Sequence, residues 1–171
     1  MRQGKGKAGS ETVRILGIDP GSRATGYGVI DRQGHALTFV TCGVIRTSEK
    51  KPFPERLQEI YDGIGEVIGA YKPQLAGVED IFTAINPRSA LKLGHARGVL
   101  ILAARQHGLL LEEYSPTVVK QAVAGYGQAP KEQVQQMVRV LLKLVASPSQ
   151  DAADALAVAI CRASHCNNMP R

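Results

Sequence analysis

Several acidic residues lie at predicted strand ends or at the start of a predicted helix, where carboxylates can bind metal ions or take part in catalysis. Asp19 ends an apolar stretch and precedes a Pro-Gly-Ser turn, and a second apolar stretch ends in Glu79 and Asp80. Asp151 and Asp154 lie three residues apart at the start of a predicted helix, so both side chains project from one face. An acid buried at a strand end is costly unless something positive compensates its charge. The candidates are a metal ion, a phosphate with its metal, or a basic side chain.

The acidic face of the last predicted helix continues through Ala155 and Val158, which are apolar. Its two carboxylates therefore lie at the start of a face that packs inward. A lone Asp in a first turn, by contrast, usually caps the helix or interacts favourably with its dipole. Convergent carboxylates repel one another and raise their pKa values unless cations lie among them. All-oxygen ligation suits Mg²⁺ or Mn²⁺ rather than zinc. Two such ions beside a basic surface would support in-line attack by water on a phosphodiester.

Positive charge is concentrated in the second half of the sequence. The net charge is +6, and residues 86–171 contain ten basic and five acidic side chains. No acid occurs in residues 81–111, where four basic residues fall: Arg88, Lys92, Arg97 and Arg105. A basic surface beside isolated acids indicates a polyanionic partner such as nucleic acid, and a solvated helix face is the alternative.

The hydrophobic pattern predicts an α/β domain around these acids. Apolar and β-branched runs predict a three-stranded meander, followed by an amphipathic helix and a buried strand that ends in acid. Because a helix precedes that strand, it should lie parallel to the first strand. Side chains alternate along a strand, so only one of Glu79 and Asp80 can share the face of Asp19, and the pattern does not choose between them. The predicted strands span 13–19, 25–31, 37–46, 75–80 and 109–114, and the predicted helices span 54–71, 89–107 and 150–165, with shorter helices starting at Pro116 and Pro130.

Length and composition predict one domain, residues 13–171, after a flexible basic tail of residues 1–12. No apolar run is long enough to span a bilayer, so we expect no membrane partner. Three cysteines without framework spacing are expected to be free thiols in a reducing cytoplasm. Cys161, His165 and Cys166 lack the paired spacing of a zinc site.

Four blocks of the sequence resemble the RuvC family of bacterial crossover junction endodeoxyribonucleases: LGIDPGSRATGYGVI, VEDIF, SALKLGHARG and DAADALA. D-P-G-S alone is a weak signal, but four blocks in this order and spacing are specific. The resemblance implies an RNase H-like fold with a five-stranded mixed sheet flanked by helices. It also implies a homodimer that nicks two opposed strands of a four-way (Holliday) junction with Mg²⁺, and that works with a branch-migration motor complex in recombination and repair.

The resemblance assigns roles to individual residues. It implies that the catalytic, metal-binding acids are Asp19, Glu79, Asp151 and Asp154. It thereby selects Glu79 over Asp80. Lys120 and Lys131 match lysines near the active site of the family, and Phe82 matches an aromatic residue that unstacks bases at the junction. Arg88 and Lys92, from the acid-free stretch, are expected to contact DNA as well.

Simpler interpretations exist for several of these residues. An isolated Phe is usually in the core, although Phe82 follows the acidic strand in a polar loop, where stacking on bases is equally expected. Lys120 and Lys131 would ordinarily be solvated, but a lysine near a helix start is unfavourable with the dipole unless an anion is present. Gly94 and Gly98 reduce helix stability, so we expect close packing there, either in the core or at a dimer contact.

Two other functions fit parts of the pattern. D-x-G-S-x-x-T-G also resembles the first phosphate loop of actin-like and sugar-kinase ATPases, but those proteins close two such domains around a nucleotide and this chain has the length of one. A nucleic-acid-binding module without catalysis would use the acids only as caps and ion-pair partners. It would bind DNA with strong salt dependence and cut no strand with any divalent ion.

Overall fold

The apolar stretches of the sequence form one sheet of five strands in the computed structural model, which describes residues 11–80 and 86–166. The strands are β1 (Thr12–Asp19), β2 (Ala24–Gln33), β3 (Ala36–Arg46), β4 (Leu75–Glu79) and β5 (Leu110–Tyr114). The helices within these ranges are α1 (Phe53–Tyr71), α2 (Pro87–Gln106), α3 (Pro116–Ala124), α4 (Lys131–Leu142) and α5 (Gln150–Ser164).

The sheet is mixed, as predicted, with the strand order β3-β2-β1-β4-β5. The meander β1-β2-β3 is antiparallel, whereas β4 pairs in parallel with β1 on one side and with β5 on the other. Parallel strands need a crossover connection, and α1 and α2 supply the two that are required. The carboxyl ends of β1 and β4 therefore meet at one edge of the sheet.

The two faces of the sheet bury two separate hydrophobic layers. Alternation along β1 sends Ile15 into a layer with α3, α4 and α5, and Leu16 and Ile18 into a layer with α1 and α2. All three side chains are fully buried. The period-2 pattern that predicted the strand therefore also decides which helix each side chain contacts.

Helix α5 lies directly on the backbone of β1 and β2, because glycines remove the side chains that would separate them. A Cβ atom at Gly17 would lie 2.0 Å from the carbonyl oxygen of Ala155. A Cβ atom at Gly26 would lie 2.0 Å from the carbonyl oxygen of Asp151. No real Cβ tolerates such a distance, so these two glycines allow the close approach of α5 to the sheet.

The boundaries differ from the predicted ones by one or two residues. β1 begins at Thr12, β4 ends at Glu79, and α2 begins at Pro87, where the Asn86 side chain caps the helix by accepting from the Ser89 N–H at 2.9 Å. Proline suits the first turn of a helix, because the backbone N–H groups of that turn have no partner within the helix and proline carries none. Residues 1–10 of the predicted tail lie outside the described residues, and the helices that are described include none long and apolar enough to cross a bilayer.

Of the two alternatives predicted for Gly94 and Gly98, packing in the core is wrong for the described residues, and packing at a dimer contact stays a prediction. A Cβ atom at either glycine would meet nothing within 4 Å. Both glycines instead line an open groove on α2, flanked by Leu91 and Leu102, which are 65% and 53% exposed. Small residues on this helix therefore leave an apolar face uncovered within the described chain.

Gly26→Ala is expected to destabilise the fold by roughly 1–3 kcal/mol, because the new methyl group would push against backbone atoms of α5 that cannot rotate away. Gly69→Ala is the matched control, since Gly69 lies in α1 with nothing within 4 Å of the added Cβ. That control should gain about 0.5–1 kcal/mol from higher helix propensity. Urea unfolding followed by circular dichroism measures both values. Equal stability of the two variants would contradict the close approach of α5.

Candidate active site

The register of the sheet places Asp19 and Glu79 side by side. The last residues paired between β1 and β4 are Ile18 and Val78, and the two acids follow at the same level. Residues at one level of a parallel pair point to the same face, so the side chain of Glu79 accompanies that of Asp19. Asp80 turns away and lies 3.3 Å from the guanidinium of Arg97. The geometry thus distinguishes two acids that the sequence pattern leaves equivalent.

Helix α5 brings two more carboxylates to the same edge. Asp151 lies in its first turn, against the Gly26 backbone of β2, and Asp154 follows one turn later. The residues behind them on this face, Ala155 and Val158, are buried as predicted. Because the amino-terminal end of α5 meets the carboxyl ends of β1 and β4, all four acids converge.

Burial and the proximity of the carboxylates raise the pKa values of Asp19 and Glu79. The pKa of Asp19 is raised to about 8, chiefly because the carboxyl group is buried. The negative charges of Glu79, Asp154 and Asp151, in that order, raise it further, and Lys131 lowers it. The pKa of Glu79 is also raised, first by burial and then by Asp154. These shifts mean that the site holds more negative charge than its surroundings compensate.

Two lysines supply part of the missing positive charge. The Nζ atom of Lys131 donates to Oδ2 of Asp154 at 2.7 Å. Lys120 and Lys131 both lower the pKa of Glu79, and both line a cavity of about 180 Å³ together with Glu79 and Asp154. Lys131 is the first residue of α4, as predicted, whereas Lys120 lies in the middle of α3, so the dipole argument holds for Lys131 alone.

Phe82 and the four basic residues of the acid-free stretch divide into three groups. Arg88 and Lys92 lie in the first two turns of α2, where Arg88 is exposed and Lys92 lies 5.7 Å from the ring centre of Phe53. Arg97 and Arg105 from the same acid-free stretch are instead held by partners of the fold. Phe82 falls in residues 81–85, outside the described residues, so its role remains a prediction.

Sequence reasoning missed Arg56, which supports the turn after Asp19. Its guanidinium is buried and donates to the carbonyl oxygen of Ser22 and to the hydroxyl of Thr47, the latter at 3.1 Å. Thr47 also donates its hydroxyl to the Ser22 carbonyl at 3.0 Å. A signal existed, because Arg56 falls in the stripe that Ile60 and Ile64 continue on the buried face of α1. A charged residue on an apolar helix face is costly to bury unless it is paired or hydrogen-bonded.

The carboxylates fit a divalent cation by their chemistry. As the side chains stand, residues 11–80 and 86–166 contain no group of three or more His, Cys, Asp or Glu residues arranged to hold a metal ion. Asp154 is instead bound by Lys131. The donors are nevertheless all oxygen, as Mg²⁺ and Mn²⁺ require. Burial and then the neighbouring carboxylates raise the pKa of Asp19, and a cation among them would offset both effects.

The Cys161, His165 and Cys166 cluster has a different character. Burial raises the pKa of the Cys161 thiol to about 12, which disfavours the thiolate that zinc binds. The ring of His165 packs on Tyr114 with 5.1 Å between centres. These residues therefore belong to the packing at the end of α5.

The chain is similar to known proteins over most of its length. The chain matches the family model described as "Crossover junction endodeoxyribonuclease RuvC" over residues 15–162. The protein of that name from Citrifermentans bemidjiense is 56% identical over 149 residues, which cover 87% of this chain and 91% of the relative. The one from Syntrophotalea carbinolica is 56% identical over 154 residues, which cover 90% of this chain and 95% of the relative.

A solved structure described as T. thermophilus RuvC in complex with Holliday junction substrate shares the fold. Its TM-score is 0.83 at 36% sequence identity, and the match covers 87% of this chain and 92% of that chain. The predicted RNase H-like fold is thereby confirmed. Since the family model spans most of the sequence and these relatives share more than half of the aligned residues, the chain belongs to the RuvC family of crossover junction endodeoxyribonucleases.

Proposed function

We propose that this chain is an endonuclease that resolves four-way DNA junctions by Mg²⁺-dependent paired nicking of opposed strands. The observation that carries the proposal is the convergence of four carboxylates at one edge of the sheet in a chain of this family. The T. thermophilus relative, described as bound to a Holliday junction, supports the same class of substrate. The excess of negative charge in the site explains why a polyanion would need metal ions there.

The four acids would hold two Mg²⁺ ions, with Mn²⁺ as an alternative, through their oxygen atoms: Asp19, Glu79, Asp151 and Asp154. Bound there, such ions supply an activated water and stabilise the leaving oxygen. Asp19 and Glu79 are half-buried, so the sheet shields one side of the reacting centre from solvent. Lys131 and Lys120, on the rim of the cavity, place positive charge where the scissile phosphate would enter.

The wider DNA contacts in the proposal come from the amino-terminal part of α2 and the segment before it. Arg88 and Lys92 would bind phosphates, and Phe82 would stack on bases that unpair at the junction. Contacts to phosphate fix the orientation of the duplex, so these residues would align the junction with the carboxylates. A branch-migration motor complex as partner and the bacterial cytoplasm as location complete the proposal, and the three free cysteines are compatible with a reducing compartment.

We also propose a homodimer that forms through the uncovered face of α2. Leu91 and Leu102 are more than half exposed there, and Gly94 and Gly98 leave room for a second helix to approach closely. A two-fold pair of active sites would match the two strands that must be cut.

Asp19→Asn is expected to slow nicking of a synthetic four-way junction in Mg²⁺ by roughly 100-fold or more, because it removes a metal ligand worth several kcal/mol. Binding to the junction in EDTA should remain, since the basic contacts are unchanged. A gel-based nicking assay and an electrophoretic mobility assay measure the two quantities. Asp62→Asn, on the exposed face of α1, is the control. Cleavage by Asp19→Asn at the wild-type rate would exclude this catalytic assignment.

Leu102→Glu is expected to convert the dimer to a monomer, because it places a charge in the proposed apolar contact. Val140→Glu is the matched control, since Val140 is 61% exposed on α4, outside that face. Sedimentation velocity reports the mass of each variant, and the nicking assay should show single rather than paired cuts for Leu102→Glu. If wild type is monomeric, or if both variants stay dimeric, α2 is not the contact.

A further inference from the structure

One arginine of α2 ties the strands that carry the site to that helix. The Nε of Arg97 donates to the backbone carbonyl oxygen of Glu79 at 3.2 Å. Its Nη2 forms an ion pair with Glu113 of β5 and lies 3.3 Å from Oδ1 of Asp80. The Arg97 side chain is only 19% exposed, whereas its partner Glu113 is 50% exposed. Arg97 thus spans α2, the end of β4 and the end of β5.

These contacts hold the peptide that follows the Glu79 side chain from two sides. The carbonyl of Glu79 accepts from Arg97, and the N–H of Asp80 donates to the Tyr114 carbonyl at 2.7 Å. β4 ends at Glu79, so regular pairing no longer fixes the backbone beyond this point. Without Arg97, the Glu79 carbonyl would lose this donor, while the bond from the Asp80 N–H to β5 would remain.

We propose that Arg97 is a positioning residue that fixes the direction of the Glu79 carboxylate by holding its backbone carbonyl. The inference rests on the proposed catalytic role of Glu79. The planar guanidinium matters because one group donates to the carbonyl through Nε and binds two carboxylates through Nη2. A lysine ammonium cannot reproduce that fork. Because Arg97 adjoins Gly98, the proposed dimer contact and the direction of Glu79 depend on the same helix.

Arg97→Lys tests this role because it keeps the positive charge for Glu113 and Asp80 but loses the Nε donor. We expect the single-turnover cleavage rate to fall about 10- to 100-fold through misplacement of Glu79. Junction affinity should stay within about twofold, since the lost interaction acts on the reacting geometry. In the metal-free protein, the amide hydrogen of Asp80 should exchange faster, because the peptide that it belongs to is held on one side only.

Arg14→Lys is the matched control. Arg14 lies at the opposite end of β1, where it binds Asp31 through two nitrogens at 2.8 and 2.9 Å and donates to the Tyr71 carbonyl at 3.0 Å. This arrangement of a carboxylate and a carbonyl around one guanidinium resembles that of Arg97. Arg14→Lys should therefore lower the melting temperature by a similar amount and leave the cleavage rate within about twofold of wild type. All rates are measured well below the melting temperature of each variant.

The cleavage rates and the Asp80 exchange rate distinguish a positioning role of Arg97 from general destabilisation. A slower rate and faster Asp80 exchange in Arg97→Lys alone support the positioning role. A wild-type rate in Arg97→Lys, or an equal loss of rate in Arg14→Lys, overturns it, because the first shows no effect on Glu79 and the second shows general destabilisation. If wild-type protein itself nicks no junction in Mg²⁺, the proposed function fails. The exchange at Asp80 then still decides whether Arg97 holds the peptide.

Discussion

The close approach of α5 to β1 and β2 is the constraint on which the rest of the structure depends. Only hydrogen atoms at Gly17 and Gly26 separate the helix from the sheet, and a Cβ at either position would overlap a backbone carbonyl of α5. Because the backbones touch, the first turn of α5 is placed beside the strand ends with little freedom. The carboxylates of Asp151 and Asp154 consequently reach the edge where Asp19 lies. Packing between helix and sheet thus builds the site.

The converging carboxylates lower the stability of the folded protein. Burial and like charge raise the pKa of Asp19 to about 8, so its ionised form is costly in the folded protein. Because the pKa of Asp19 is higher in the folded than in the unfolded protein, this carboxyl group contributes stability at low pH. That contribution is lost as the pH rises from the pKa of the unfolded state through about 8. Lys131 and Lys120 reduce the imbalance without removing it. A site with an excess of negative charge on a rigid frame attracts divalent cations, and the apolar layers on both faces of the sheet supply the compensating stability.

Local patterns predicted most of the fold. Period-2 and period-3.6 spacing predicted the strands and helices, and the rule for helix-connected strands predicted that β4 is parallel to β1, which the sheet confirms. The acids on α5 were predictable because a helix fixes the geometry of residues three apart. The choice between Glu79 and Asp80 was not predictable from periodicity, since it depends on the register between β1 and β4, which involves residues about sixty positions apart. Resemblance to the family made that choice, and the register agrees with it.

Long-range contacts account for the rest. Arg97 belonged to a basic stretch in the sequence, and only the fold shows that Asp80 and Glu113 surround it. Gly94 and Gly98 predicted close packing, yet within the described chain they face open space, because a single sequence cannot say whether a small-residue face meets its own chain or another. The special need for glycine at position 26 arises only once α5 crosses β2.

Thermal unfolding of wild type and Asp19→Asn, each with and without Mg²⁺, tests the claim that the four converging carboxylates bind a divalent cation. At pH 9, above the raised pKa of Asp19, the metal-free variant should melt higher than wild type, because it has lost a buried like charge. Mg²⁺ should raise the melting temperature of wild type and leave that of the variant nearly unchanged. In a protein of this size, about 1 kcal/mol corresponds to roughly 2–4 °C. A metal-free variant that melts lower than wild type, together with a wild type that does not respond to Mg²⁺, would contradict the account.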